Sequence, residues 1–261
     1  MSARAPTSSI AELRATVQPP GVMDRSVEHW VGRLYMRRVS PYLTFALLRT
    51  PITPNGVTWL MISSGVLAAV ALTLPGLGAA LAAAGLIQLQ LLFDCCDGEL
   101  ARWQQRRSTT GIYLDHIGHY VTEAALPIAL GVHADGSWHS VGGYTTLGLV
   151  VAVLVLLVKG ETALVHVARA EAGDPAMGSE RALAQPRPAL LRRARRAIGF
   201  VPFFRAFNAV EASLLVLAAA LVDQLSGGLA GSRALVIALL VAAAITAAGH
   251  LIAVVASDRL R

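Results

Sequence analysis

Asp94, Asp97, Asp115 and His119 are the residues of this chain whose types and spacing can do chemistry. They belong to the run Asp94-Cys95-Cys96-Asp97-Gly98-Glu99-Leu100-Ala101-Arg102, followed by Gly111, Asp115 and His119. Asp94 and Asp97 are three residues apart and Asp115 and His119 four, so on helices each pair faces one way. Asp94 abuts a long apolar segment, and Asp115 and His119 lie within the next one. Carboxylates at membrane depth are costly to bury and mark functional sites with partners. Two such helix pairs facing each other can enclose one or two hard divalent cations, which makes this a site for phosphate chemistry. The surroundings agree. Gly98 lets a ligand approach the backbone, Ala101 keeps the same face small, and Arg102 can fork onto a phosphate oxygen. Gly111 opens the next apolar segment across a polar turn, Trp103–Thr110. Three carboxylates with a small-residue floor and an arginine suit a metal-bound diphosphate.

The elements that must hold these residues are apolar helices. The chain has 261 residues, 55% of them hydrophobic and only 15% charged. With a mean hydropathy of +0.58, this balance excludes an ordinary soluble domain and fits an all-α integral membrane protein. Six apolar segments are expected to span, at about 57–74, 77–94, 111–132, 143–168, 206–223 and 234–256. The third carries Asp115, His116, His119 and Glu123, so it scores poorly on hydropathy alone. Ahead of them, Trp30, Val31, Leu34, Tyr35 and Val39 recur at helical spacing with Arg33, Arg37 and Arg38 interleaved. That pattern describes an interfacial amphipathic helix on an anionic leaflet. The expected organisation is a disordered tail over 1–20, the interfacial helix over 21–50 and the six-span domain over 51–257.

Charge sets the expected orientation. Arginines occur before Val57, at Arg102–Arg107, across Arg169–Arg205 and at Arg259–Arg261, whereas the connections His133–Gly142 and Asp223–Ser232 have no Arg or Lys. The positive-inside rule then places both termini and the acidic site on the cytoplasmic side. The net charge of +6 is explained by this topology rather than by nucleic acid. The basic Arg181–Arg196 stretch reads as a topology and lipid-surface signal. Cys95 and Cys96 are adjacent and alone, which leaves no disulfide framework and no zinc pattern. Met1–Gln18 lacks the apolar stretch of a secretory signal.

The spaced pattern D-x2-D-G-x2-A-R-x8-G-x3-D-x3-D resembles that of the CDP-alcohol phosphotransferases, integral-membrane enzymes of phospholipid head-group synthesis. Asp94, Asp97, Gly98, Ala101, Arg102, Gly111 and Asp115 occupy seven of its eight positions. Pro54-Asn55, in Ile52-Thr53-Pro54-Asn55-Gly56-Val57-Thr58, resembles the opening of that family's first span. The resemblance covers roughly residues 25 to 256. It implies transfer of a phosphoalcohol group from a CDP-linked donor, such as CDP-diacylglycerol, to an alcohol acceptor, with release of CMP. By position, it makes Asp94, Asp97 and Asp115 ligands of one or two Mg²⁺ or Mn²⁺ ions. Gly98, Ala101, Arg102 and Gly111 then line the nucleotide, with Asn55 at its end. A homodimer is also implied, which the many small residues in the spans support.

The chain departs from the pattern at its last position, where His119 replaces an aspartate. His119 is expected to act as the base toward the acceptor hydroxyl, with Glu123, one helical turn on, orienting the imidazole; the alternative with activity retained is an altered metal set that includes or loses this position. Lys159, the only lysine, can line an acceptor pocket with Asn208 and Glu211; the alternative is an interhelical pair such as Lys159–Glu211. Trp59, Trp103 and Trp138 are expected at the membrane interfaces. Two other functions compete. A CDP- and metal-binding homologue with impaired catalysis is motivated by His119. A small-solute transporter fits less well, because the acids cluster toward one leaflet and the segments show no inverted symmetry.

Overall fold

The computed structural model describes residues 9–19, 30–136, 138–173 and 206–256. The chain folds as helices α1 (Ile10–Val17), α2 (Arg37–Leu47), α3 (Pro54–Leu72), α4 (Leu77–Gln104), α5 (Thr109–Asp135), α6 (Gly143–Glu171), α7 (Ala209–Ser226) and α8 (Ala230–Val255). A π-helical stretch, Gly32–Met36, leads directly into α2. Of the six long helices, α3, α4, α6, α7 and α8 are long and apolar enough to cross a membrane. The sixth, α5, has 27 residues and carries the acids and histidines of the motif. The fold is therefore the expected all-helical membrane fold. The Arg181–Arg196 stretch lies outside the described residues.

Local chemistry starts each motif helix. Pro54 takes the first helical position of α3, where its missing N–H costs nothing, and Thr53 Oγ1 accepts the Gly56 N–H at 3.1 Å. Ser108 Oγ accepts the Gly111 N–H at 3.0 Å and so caps α5. Helix α4 ends at Gln104, and Gln105 after it is left-handed (φ 53°), with the Arg106 N–H donating to the Ala101 carbonyl at 3.0 Å. This closing bond aims the next few residues back toward the helix they leave.

The chain divides into two compact units. The first holds residues 1–68 and 83–122, and the second 69–82 and 123–261. In the first unit, the helix preceding α3 turns a polar face inward and an apolar face outward. Ser40 and Thr44 are fully buried, whereas Leu34, Tyr35, Val39 and Tyr42 are exposed. Apolar-out is the polarity of a helix set in a lipid interface. Ser40 and Thr44 donate to the fully buried Glu99 carboxylate at 2.6 and 2.7 Å, and Gln18 Nε2 adds a third bond at 2.8 Å. Arg37 lies 3.6 Å from the same carboxylate. Beside this network, Cys96 and Leu100 pack against Val57, with both cysteines buried and unbridged. In the same unit α3 and α5 meet at small residues. A Cβ on Gly65 has no room beside Thr122, nor one on Gly118 beside Met61.

In the second unit, α8 packs against α6 and α7. Two aspartates cap its helices. Asp135 Oδ2 accepts the Gly142 and Thr145 N–H groups at 2.7 and 2.8 Å, and Asp223 Oδ1 accepts the Gly231 N–H at 2.6 Å. The backbones of α5 and α6 come into direct contact, because a Cβ on Gly148 meets the Pro127 carbonyl and one on Gly131 lies 2.5 Å from that of Tyr144.

The structure corrects several expectations. The tail expected to be disordered contains α1 over its described part. Ser9 and Glu12 form the start of a capping box there, and Leu13 and Val17 are fully buried against Trp103. Trp103 is accordingly 1% exposed and packs a core rather than a membrane interface, while Trp59 and Trp138 are exposed. The second span does not stop at Asp94 but continues to Gln104, and the turn shrinks to 105–108. The first, third, fifth and sixth spans begin two to four residues earlier or later than expected.

Substitutions at three positions test this packing by thermal unfolding in detergent. Glu99→Ala strands the buried Ser40, Thr44 and Arg37 groups and is expected to cost about 3–5 kcal/mol, with Glu99→Gln recovering part. Gly148→Ala forces apart two helix backbones and is expected to cost about 1–3 kcal/mol. Gly85→Ala, at a helical position with open space around it, is expected to gain about 0.5–1 kcal/mol.

Candidate active site

Three helices of the first unit each contribute one stripe to the site. On α4, Asp94, Asp97, Gly98, Ala101 and Arg102 follow at spacings of three and four, so they occupy one face for more than two turns. On α5, Gly111, Asp115 and His119 repeat every four residues. On α3, Asn55 and Thr58 are three apart. Between these stripes opens a cavity of about 390 Å³, lined by Asn55, Asp94, Asp97, Gly98, Ala101, Arg102, Gly111 and Asp115. Arg37, Thr58, Arg106, Arg107 and Ser108 also face it. The seven matched motif positions and Asn55 thus share one space.

The acids have distinct surroundings. Asp97 Oδ2 accepts the Thr58 hydroxyl at 2.7 Å. Asp94 Oδ1 lies 3.3 Å from His119 Nε2, and Asp115 Oδ1 lies 3.6 Å from the same nitrogen. One donor atom each from Asp94, Asp115 and His119 falls within 4.8 Å of the others. Two carboxylates and an imidazole at that spacing fit a divalent cation by the chemistry of their donor set. Asp97 stands beside this trio rather than in it.

The floor and the arginine wall suit an anion. A Cβ on Gly111 lies 2.9 Å from Asn55 Oδ1 and one on Gly98 3.3 Å from Arg102 Nη1, so both glycines keep the cavity open. Arg102 Nε donates to the Val17 carbonyl at 2.7 Å, which fixes the guanidinium from α1. Its Nη2 is buried with no hydrogen-bond partner. An unsatisfied buried guanidinium N–H in a cavity is poised for an anionic oxygen.

Other residues named from sequence fall elsewhere. Lys159 Nζ binds Glu123 Oε2 at 2.9 Å in the second unit. Glu123 is thereby paired with a lysine, and Asp94 and Asp115 both lie close to the His119 imidazole. Asn208 precedes α7 and Glu211 stands in its first turn. Sequence reasoning missed Thr58, Glu99 and the cavity-facing role of Arg37. Thr58 was detectable, since it follows Asn55 by three positions on the same helix face.

Comparison with known proteins agrees with this geometry. Residues 51–179 match the family described as CDP-alcohol phosphatidyltransferase. A curated relative, the bifunctional IPC transferase and DIPP synthase of Aquifex aeolicus (strain VF5), is 34% identical over 119 residues. That match covers 45% of this chain but only 26% of the relative's length. The crystal structure of the Mycobacterium tuberculosis phosphatidylinositol phosphate synthase with CDP-DAG bound shares the fold. Its TM-score is 0.52 at 22% identity, over 85% of this chain and 96% of that one. The matched segment, residues 51–179, contains the three stripes and most of the wall of the cavity between them, and it is this segment that matches the CDP-alcohol phosphatidyltransferase family.

Proposed function

We propose that the protein is a membrane phosphotransferase that moves a phosphoalcohol group, such as a phosphatidyl group, from a CDP-linked donor to an alcohol acceptor in phospholipid synthesis. One observation carries the reading. All seven matched motif positions and Asn55 line a single cavity that holds three carboxylates and a buried, unsatisfied arginine N–H. The solved neighbour's CDP-DAG supports a donor of that class.

In this reading Asn55, Gly98, Ala101 and Gly111 receive the nucleotide, with the glycines admitting it close to the backbone. Arg102, anchored through Val17, directs its free N–H to the diphosphate. Asp94, Asp97 and Asp115 would hold one or two divalent cations, Mg²⁺ or Mn²⁺, which when bound neutralise the diphosphate and the leaving CMP. The acceptor oxygen bonds to the phosphorus that carries the donor alcohol. The bond to the bridging oxygen breaks, CMP departs with that oxygen, and the acceptor's proton passes to a basic group of the acidic cluster. Arg37, Arg106 and Arg107 on the cavity wall favour anionic substrates. The arginine distribution supports a cytoplasmic site and cytoplasmic termini. Lys159, Asn208 and Glu211 remain candidates for the acceptor side, and a homodimer is the expected assembly.

The decisive measurement is CMP release by purified protein given Mg²⁺ or Mn²⁺, CDP-diacylglycerol or another CDP-alcohol, and a panel of acceptors. Release is expected, and Asp97→Ala and Asp115→Ala are expected to abolish it with its metal dependence. Binding of CDP without release under any condition favours the impaired homologue, and no CDP binding rejects the assignment. Gly111→Val is expected to weaken CDP binding about tenfold or more, because its side chain collides with Asn55 in the cavity. Unchanged binding in a folded Gly111→Val protein removes the nucleotide from that wall.

A further inference from the structure

His119 occupies the motif position at which this chain departs from the pattern it otherwise follows. A base must point its free nitrogen at the acceptor. The structure instead points Nε2 of His119 at two carboxylate oxygens, 3.3 Å from Asp94 and 3.6 Å from Asp115. Two ligands of one first-row cation sit about 3–4 Å apart, because bonds of about 2.0–2.2 Å meet at tetrahedral to right angles. The three donor atoms keep to that scale, all within 4.8 Å of one another. The side chains of Asp94, Asp115 and His119 are 24%, 37% and 36% exposed, so a cation can reach them. His119 is also absent from the cavity wall that receives substrate, whereas Asp94 and Asp115 belong to it.

We infer that His119 is a metal ligand, and that the mixed imidazole–carboxylate set gives this chain a preference for a transition cation over Mg²⁺. Resting on the metal-dependent transfer proposed above, the inference concerns the identity of the ion. Mg²⁺ takes oxygen ligands and keeps its waters. Imidazole nitrogen favours the later divalent ions, in the order Mn²⁺ below Co²⁺. A nitrogen whose lone pair is on a cation accepts no proton, so His119 is then not the base, and the acceptor's proton goes to a carboxylate oxygen. The competing account of the same distances is an imidazolium held between two carboxylates with no cation.

Pulsed electron paramagnetic resonance of the full chain in detergent, loaded with Mn²⁺ and no nucleotide, separates the two. Bound Mn²⁺ is expected to show coupling to ¹⁴N, and His119→Asp is expected to keep Mn²⁺ while losing that coupling. In competition against Mn²⁺, Co²⁺ is expected to displace it at concentrations lower than Mg²⁺ by about tenfold or more, with the gap closing by a similar factor in His119→Asp. Mn²⁺ bound without ¹⁴N coupling, coupling that survives His119→Asp, or no Mn²⁺ binding each overturns the inference. Those results leave CMP release from a CDP donor untouched. Coupling without CMP release overturns the transferase reading alone.

Discussion

A carboxylate inside an apolar bundle must have a partner, and α4 carries three of them within six residues, at Asp94, Asp97 and Glu99. The helical turn assigns them to different sides. Asp94 and Asp97 share one face, whereas Glu99, about 200° around from Asp97, points away from it. The structure supplies each side separately. Asp94 finds His119 and Asp97 finds Thr58 on the cavity side, and Glu99 finds Ser40, Thr44 and Gln18 on the other. Much of the first unit follows from satisfying those groups.

The inverted amphipathic helix makes sense in these terms. In water a helix buries its apolar face; here the residues turned inward are Ser40 and Thr44, because what they cover is a charge. The apolar face is left to the lipid interface. Helix α1 then closes the same corner, with Leu13 and Val17 on Trp103, Gln18 on Glu99 and the Val17 carbonyl on Arg102. One short helix outside the family match therefore holds both the structural carboxylate and the arginine that faces the cavity. The coupling is physical and local: the motif helix is gripped from behind while its front stays open.

The histidine gives the site its individuality. An aspartate at residue 119 would add a third acid to the Asp94–Asp115 pair. An imidazole accepts a place between them with less mutual repulsion, and it brings nitrogen into a set otherwise made of oxygen donors. Lys159 forms an ion pair with Glu123.

By itself the sequence determined the six long helices, five of them apolar enough to span, and the facing stripes of the motif, because these depend on composition and on helical periodicity within single segments. The motif acids, Gly98, Gly111 and Arg102 were legible that way, and Asn55 through the family resemblance. Tertiary structure decided what depends on distant segments meeting. No local pattern places Glu99 under Ser40 and Thr44, or Trp103 under Leu13 and Val17, or Lys159 on Glu123. The capping box at Ser9 and Glu12 announced α1, but only burial against Trp103 makes so short a helix worth forming. The orientation of His119 was beyond sequence for the same reason. Spacing put it on the face of Asp115, and only the packing of α4 against α5 within that unit brought Asp94 to its nitrogen.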